Sequence, residues 1–277
     1  MVANTHNRPF LKWAGNKYRI MSHIHTMLPA GDRLIEPFAG SGAVFLNTDY
    51  DRYLLADNNF DLISLYQILA EQGETFIATC SRLFRDATNK EDYYYRRRVE
   101  FNKSKNLERK AALFIYLNRH GYNGLCRYNA SGGFNVPFGR YKRPYFPTKE
   151  MTTFYQKSQQ AEFLHVDFAT VFNKLNNGDV VYCDPPYVPL SKSANFTSYS
   201  AGGFNITQQQ QLAQLAESTR QRGIPVLISN HNTQFTRQAY KAADNIKRFK
   251  VMRSISCNGQ QRKPAGELLA LFESRVA

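Results

Sequence analysis

The chain has 277 residues, 43% of them hydrophobic and 21% charged, and its formal net charge is +14. That balance excludes a wholly disordered chain, and no run approaches the ~18 consecutive apolar residues of a membrane span. An excess of positive charge this large draws a polyanion, of which nucleic acid is the commonest.

Residues 1–11 are polar and lack the apolar stretch of a secretory signal. The four cysteines, Cys80, Cys126, Cys183 and Cys257, form no C-x-x-C pair. Neither a zinc site nor a disulfide framework is expected from them, and no metal. Reduced thiols in a cytoplasmic protein are expected instead. Aromatic residues make up 14% of the chain, so many must be core, while those set among basic residues suit base stacking.

In chain order, residues 33–38 (RLIEPF) read as a short strand leading into Ala39-Gly40-Ser41-Gly42, and residues 43–47 as helical. Residues 52–56 (RYLLA) form a second apolar run ending at Asp57. Strand, Gly-rich turn, helix and strand are the opening of a parallel α/β sheet. The apolar spacing then predicts helices over 61–70, 75–84, 92–101 and 107–119. A Gly- and Pro-rich stretch follows over 121–147, dense in basic and aromatic residues, with Ser131-Gly132-Gly133 as a hairpin turn. Residues 162–166 form a strand, and 179–183 (DVVYC) a buried one. Residues 190–204 lack periodicity and read as a mobile loop. Thr207 and Gln210 suggest a capping box starting a helix that Gly223 ends. Residues 225–229 (PVLIS) are another buried strand, and 246–255 with 267–272 a closing antiparallel pair.

The strongest chemical signal is Asp184-Pro185-Pro186-Tyr187, directly after the 179–183 strand. Ligands of open α/β sheets sit at the carboxyl ends of strands. Two prolines stiffen the backbone and remove two donors, which presents the Pro185 carbonyl as an acceptor beside the Asp184 carboxylate. Two adjacent acceptors suit the two hydrogens of an exocyclic amine, and Tyr187 can stack on the ring that bears it. Such chemistry depends on positioning and electrostatics, because the amine loses its proton after attack.

The second signal is Glu36-Pro37-Phe38-Ala39-Gly40-Ser41-Gly42, where two glycines let a ligand approach the backbone. Phe45 stands where a dinucleotide fingerprint has its third glycine, a change that an adenosine ligand without pyrophosphate tolerates. Asp57, fifteen residues after Gly42, can accept from ribose hydroxyls. Phe10 to Lys17 (FLKWAGNK) holds the only tryptophan, Trp13, and Lys17 offers a donor for a carboxylate such as that of a methionine moiety.

These residues, in the order cofactor turn, insertion, Asp-Pro-Pro-Tyr, resemble the α group of N6-adenine DNA methyltransferases. The runs LKWAGNK, EPFAGSG, LADNN, YLNRHGYNGLCRYN, FNVPFGRYKRPYFP, YCDPPY, ANFTSY and LISNH extend the resemblance over nearly the whole chain, to the Dam-type enzymes that modify adenine in GATC. Asn16 departs from the family pattern, which has Gly there.

The resemblance implies an α/β, Rossmann-like S-adenosylmethionine-dependent methyltransferase domain with an inserted helical and β-hairpin target-recognition domain. Residues 1–60 and 148–277 would be catalytic and 61–147 the DNA-binding insertion. Trp13, Lys17, Phe38, Gly40, Gly42, Asp57 and Asp184 would bind the cofactor. Asp184, Pro185, Pro186 and Tyr187 would be catalytic, holding a flipped adenine. Arg127 would read guanine, Leu125 and Pro137 the thymine side, and Tyr122 and Asn123 would enter the stack or fill the gap. Lys12 and Arg140 would make further DNA contacts. This fits known groove chemistry, in which Arg binds guanine bidentately and apolar groups meet the thymine methyl, and in which a target base leaves the stack.

Other readings remain open on the residues alone. Asp167 either contacts the cofactor's adenine or caps a strand end. His231 reads as structural, and Arg262 with Lys263 either touch phosphate or form a solvated loop. The same catalytic residues would also serve another DNA target or cytosine N4, as in a restriction–modification partner, and RNA, protein glutamine or a non-catalytic DNA-binding role are further readings. The expected partner is double-stranded DNA, bound by a monomer, in the nucleoid-associated cytoplasm of a bacterial or phage-infected cell. Mismatch repair and replication are compatible roles.

Overall fold

The computed structural model describes residues 6–188, 204–251 and 265–274. In chain order the helices are α1 Met21–His25, α2 Phe60–Gln72, α3 Glu74–Ser81, α4 Glu91–Lys103, α5 Leu107–His120, α6 Thr148–Ser158, α7 Phe168–Phe172, α8 Ile206–Gln221 and α9 Gln234–Ala239. The strands are β1 Arg33–Glu36, β2 Arg52–Asp57, β3 Ala161–His165, β4 Asp179–Cys183, β5 Val226–His231, β6 Asn245–Val251 and β7 Ala265–Phe272. The chain divides into two compact units, one of residues 1–19, 40–48 and 59–165, the other of 20–39, 49–58 and 166–277.

The second unit carries the strands β2-β1-β4-β5-β7-β6 in that order. The first four run parallel, and β7 pairs antiparallel with both β5 and β6. All five residues of β4 are buried, which is why Val180 to Cys183 read as an unbroken apolar run rather than an alternation. At the amino ends of β1 and β4, Arg33 and Asp179 lie in register and form a bidentate pair, Nε to Oδ1 and Nη2 to Oδ2, both 2.8 Å.

The first unit is mainly helical. Phe10, Tyr66 and Phe154 pack at ring separations of 4.6–5.9 Å around its core. The helices predicted over 61–70, 75–84, 92–101 and 107–119 are α2 to α5, with shifted ends. Asn59 and Asn106 start α2 and α5 by accepting from Leu62 N and Arg109 N.

Several expectations are corrected. Residues 43–47 form only a 3₁₀ turn, Phe45–Asn47. Asn47 Nδ2 and Thr48 Oγ1 donate to the Ala43 and Val44 carbonyls, at 2.8 and 2.9 Å, and so end the turn with side-chain bonds. The capping box of α8 is Asn205 with Gln208, two residues before the Thr207–Gln210 pair. Asn205 is extended and Gln208 returns its bond, while Thr207 already lies in the first turn. Gly223 follows the end of α8 in the left-handed region, as expected. The hairpin around Ser131-Gly132-Gly133 forms as a tight turn closed by the single bridge Tyr128↔Phe134. Helices α1, α6, α7 and α9 are not predicted from the sequence.

Apart from Phe204, the expected 190–204 loop lies outside the described residues, as do Cys257, Arg262, Lys263 and residues 252–255 of the last strand pair. Cys80, Cys126 and Cys183 are not in disulfides. Among the described residues no helix is long and apolar enough to cross a membrane, and no His, Cys, Asp and Glu cluster could hold a metal.

Candidate active site

In the second unit, β4 delivers Asp184-Pro185-Pro186-Tyr187 to the carboxyl end of the parallel strands. Ser229, on the adjacent β5, organises this segment. Its hydroxyl lies 3.0 Å from Asp184 Oδ1 and 3.1 Å from the Tyr182 hydroxyl, which donates to it. The next residue, Asn230, accepts from Val188 N at 3.2 Å and donates to Gln209 Oε1 and the Tyr240 hydroxyl. Gln209 in turn donates to the Pro186 carbonyl at 2.7 Å. His231 Nδ1 lies 2.8 Å from the Val188 carbonyl, and its ring meets Tyr187 edge-on at 4.7 Å. Three consecutive residues of one strand thus brace the loop on both sides of Tyr187.

Among the described residues no protein donor is spent on the Pro185 carbonyl. Asp184 is half-buried, and its carboxylate accepts from the Ser229 hydroxyl. The Tyr187 hydroxyl lies 3.3 Å from Glu267 on β7. Loss of solvent and the nearby charges of Asp184 and Glu267 push its pKa well up, so the ring stays neutral for stacking.

Elsewhere in this unit Phe38 stacks on Phe168 at 5.5 Å and 24°, and Phe204 meets both rings edge-on. Asp57 ends β2. Asp167 is the N-cap of α7: Thr170 N donates to Oδ1 at 3.1 Å and the Thr170 hydroxyl to Oδ2 at 2.6 Å. Those bonds hold its pKa below the usual carboxylate range.

In the first unit the glycine turn stands against Trp13. Gly40 has φ +48°, and a Cβ there would lie 3.0 Å from Trp13 Nε1. Only glycine meets both conditions cheaply. Gly42 has φ +68°. Lys17 is 6% exposed and its ammonium bonds the Gly15 carbonyl. The glycine backbone and the Trp13 ring beside it suit an adenosyl ligand.

The same unit carries the expected DNA-facing residues on the segment after α5. Asn118 ties the start of the chain to it, exchanging bonds with Lys12 N and O at 2.9 and 2.8 Å. Gly124 packs so closely on Lys12 that a Cβ would come within 2.2 Å of its side chain. Tyr122 is 52% exposed, and its N–H donates to the Pro137 carbonyl at 2.9 Å. Asn123 is held at φ +53°, with its N–H on the Tyr141 hydroxyl at 2.9 Å. The Lys12 ammonium sits 4.1 Å from the centre of the Tyr141 ring. Partial burial and Arg119 lower its pKa. Arg127, Pro137 and Arg140 are exposed and Leu125 half-buried. Bonds through Asn118 and contacts with Tyr141 thus tie Lys12, Tyr122, Asn123 and Pro137 together, while Arg140 pairs with Glu91 at 3.6 Å.

Ser229, Gln209, Asn230 and Glu267 were not anticipated as site residues. Ser229 and Asn230 lie in the LISNH run that carries the family resemblance, but nothing in that run shows what they bond, and Gln209 carries no signal of its own.

An amino acceptor site at the carboxyl edge of an open, mostly parallel sheet is the arrangement of an amino-group methyltransferase. The chain belongs to the D12 class of N6 adenine-specific DNA methyltransferases, whose family model matches residues 13–255. It is 53% identical over 270 residues to the DNA adenine methylase of Escherichia coli K12, covering 98% of this chain and 97% of that protein. The DNA adenine methylases of Salmonella typhi and Vibrio cholerae are 52% and 48% identical to it over 271 residues, each covering 98% of this chain and 97% and 98% of their own. Among solved structures, a precorrin-8w decarboxylase of Methanobacterium thermoautotrophicum covers 92% of this chain and 89% of its own, at 10% identity and a TM-score of 0.38, a likeness too slight to bear on fold or activity. The protein is a site-specific DNA (adenine-N6)-methyltransferase that depends on S-adenosylmethionine.

Proposed function

We propose that Asp184 and the Pro185 carbonyl accept the two hydrogens of the N6 amine of an adenine flipped out of duplex GATC, while Tyr187 stacks on its ring. The observation that carries this reading is the Ser229 bond to Asp184 Oδ1, which fixes the carboxylate beside a rigid carbonyl. Holding both hydrogens draws the nitrogen lone pair out of conjugation and aims it outward. Pro186 contributes rigidity and, through Gln209, a fixed backbone. The cofactor supplies an electrophilic methyl group on its sulfonium. Trp13, Lys17, Phe38, Gly40, Gly42, Asp57 and Asp184 would hold it, with Asp167 at its adenine end through what α7 capping leaves available.

In this reading residues 61–147 form the recognition insertion, and 1–60 with 148–277 the catalytic domain. Arg127 reads guanine through N7 and O6, Leu125 and Pro137 contact the thymine side, and Tyr122 and Asn123 fill the opened stack. Lys12 and Arg140 make further DNA contacts. The protein works as a monomer on DNA, in the nucleoid-associated cytoplasm of a bacterial or phage-infected cell, where marking strands for mismatch repair or timing replication would suit it.

The test is transfer of labelled methyl to a duplex with one GATC and to duplexes with each base changed in turn, with Asp184→Ala as control. Label on GATC alone, lost in the variant, supports target and catalytic residue together. Label on another duplex overturns the target and favours a restriction–modification type of specificity. Undiminished label with Asp184→Ala overturns the catalytic assignment.

A further inference from the structure

An arginine on a surface turn samples many rotamers, and a bidentate contact to guanine is efficient only if that freedom is removed beforehand. Arg127 is exposed, yet its pose is specified from two sides.

One side is the opposite limb of the same turn. Arg127 Nε donates to Asn135 Oδ1 at 2.8 Å, and Nη2 to the Asn135 carbonyl at 3.2 Å. Asn135 N returns a bond to the Arg127 carbonyl at 3.0 Å. These contacts use the lateral edge of the guanidinium, made of Nε and the near hydrogen of Nη2. Its terminal edge, Nη1 with the far hydrogen of Nη2, is a second fork that also matches N7 and O6 of guanine.

The other side reaches back to the first turn of α2. The hydroxyl of Tyr128, the residue after Arg127, donates to Asp61 Oδ2 at 2.9 Å. Asp61 Oδ1 takes the Lys110 ammonium of α5 at 2.7 Å, so both carboxylate oxygens are engaged, at 13% side-chain exposure. The α2 amino end favours a negative charge there. Tyr128 is bridged to Phe134, which is 2% exposed and held by Asn102 through both its N–H and its carbonyl. Asn59, the N-cap of α2, adds a contact of 3.7 Å from Nδ2 to Cys126 Sγ on the other flank of Arg127. Burial pushes the Tyr128 phenol pKa far up, which keeps it a donor to Asp61.

We infer that Asp61 is a positioning residue for sequence recognition: it anchors Tyr128 and with it the backbone of Arg127, while Asn135 holds the guanidinium so that its terminal edge faces the base. This rests on Arg127 as the guanine reader. Asp61 stands 66 residues before Arg127 in the chain, in the first turn of α2 rather than in the Gly- and Pro-rich segment that carries Arg127, so spacing alone does not connect them.

The experiment compares kcat/KM on the GATC duplex with kcat/KM on each singly substituted duplex. The proteins are wild type, Arg127→Ala, Tyr128→Phe, Asp61→Asn, Asn135→Ala and the double variant Asp61→Asn with Arg127→Ala. Arg127→Ala is expected to lower discrimination at one base pair about tenfold or more. Tyr128→Phe, which removes one hydroxyl, and Asp61→Asn are expected to lower it about three- to tenfold at that same pair and nowhere else. Asn135→Ala is expected to act at the same pair. Adding Asp61→Asn to Arg127→Ala should produce no further loss. Equal loss on every duplex, or full additivity in the double variant, overturns the positioning role. If Arg127→Ala changes no ratio, the reading of Arg127 itself fails; if only Arg127→Ala has an effect, that reading stands and the anchor is overturned.

Discussion

Ser229 donates its hydroxyl to Asp184 Oδ1 at 3.0 Å across the neighbouring parallel strands β5 and β4. A bond to a charged acceptor is worth about 1.5–3 kcal/mol, and here it restrains the carboxylate proposed to hold the target amine. Ser229→Ala is therefore expected to lower the single-turnover methylation rate by roughly 10- to 100-fold. Cofactor affinity, read by calorimetry, should change little by comparison. A rate within twofold of wild type would remove Ser229 from the site.

Gly40 combines φ +48° with Trp13 Nε1 3.0 Å from where a Cβ would be. Gly40→Ala should cost about 1 kcal/mol of stability from backbone strain. It should also weaken S-adenosylmethionine binding, because Trp13 or the turn must shift. Calorimetry and thermal unfolding read the two effects separately, and unchanged cofactor affinity would contradict the assignment of this turn.

With a net charge of +14 and Arg140 proposed as a DNA contact, the affinity for DNA is expected to rest largely on phosphate neutralisation. Plotted logarithmically, the binding constant should fall linearly and steeply with salt. Arg140→Ala should flatten that slope by about one unit without altering base preference. Arg140 spans 3.6 Å to Glu91 on an exposed surface, an ion pair that little opposes its transfer to phosphate. An Arg140→Ala protein with altered base preference and the wild-type slope would reverse that role.

His120 is 1% exposed at the end of α5, stacked on Tyr116 at 4.0 Å. Burial, with the charge of Lys12 added, pushes its pKa down to about 4 against a hydrogen bond to the Tyr116 carbonyl that opposes the shift. The unfolded chain, with an ordinary imidazole near pH 6.5, binds the proton more readily, so folding stability is lost as pH falls between those two values. From pH 7 to pH 5 this site is expected to cost about 2 kcal/mol. His120→Gln should flatten the acid limb of the thermal unfolding midpoint against pH. An unaltered acid limb would assign the loss to other groups.

Much of the fold was legible because its signals are local. A strand buried on both faces needs an unbroken apolar run, and residues 180–183 are one; α2 to α5 announce themselves by apolar spacing over eight or more residues. Short elements were not legible. α7 and α9 have five and six residues, too few for a period to show, and the turn at 45–47 ends early through side-chain bonds that propensity does not record. The box at the start of α8 was misplaced by two residues because Asn205 and Thr207 both suit an N-cap, and only backbone geometry selects between them.

The sequence by itself pointed to amine methylation on a polyanion, through Asp184-Pro185-Pro186-Tyr187 after a buried strand, a glycine turn before it, the net charge of +14 and the family resemblance that its contiguous runs carry. Tertiary structure alone decided what holds those residues in place. Ser229 lies 45 residues from Asp184, Asp61 lies 67 from Tyr128, and Asn118 lies 106 from Lys12. Serines, aspartates and asparagines are common, and a hydrogen bond between two of them leaves no trace in spacing. The reacting groups are written in contiguous motifs, whereas their orientation depends on which distant polar side chain the folded chain brings within about 3 Å.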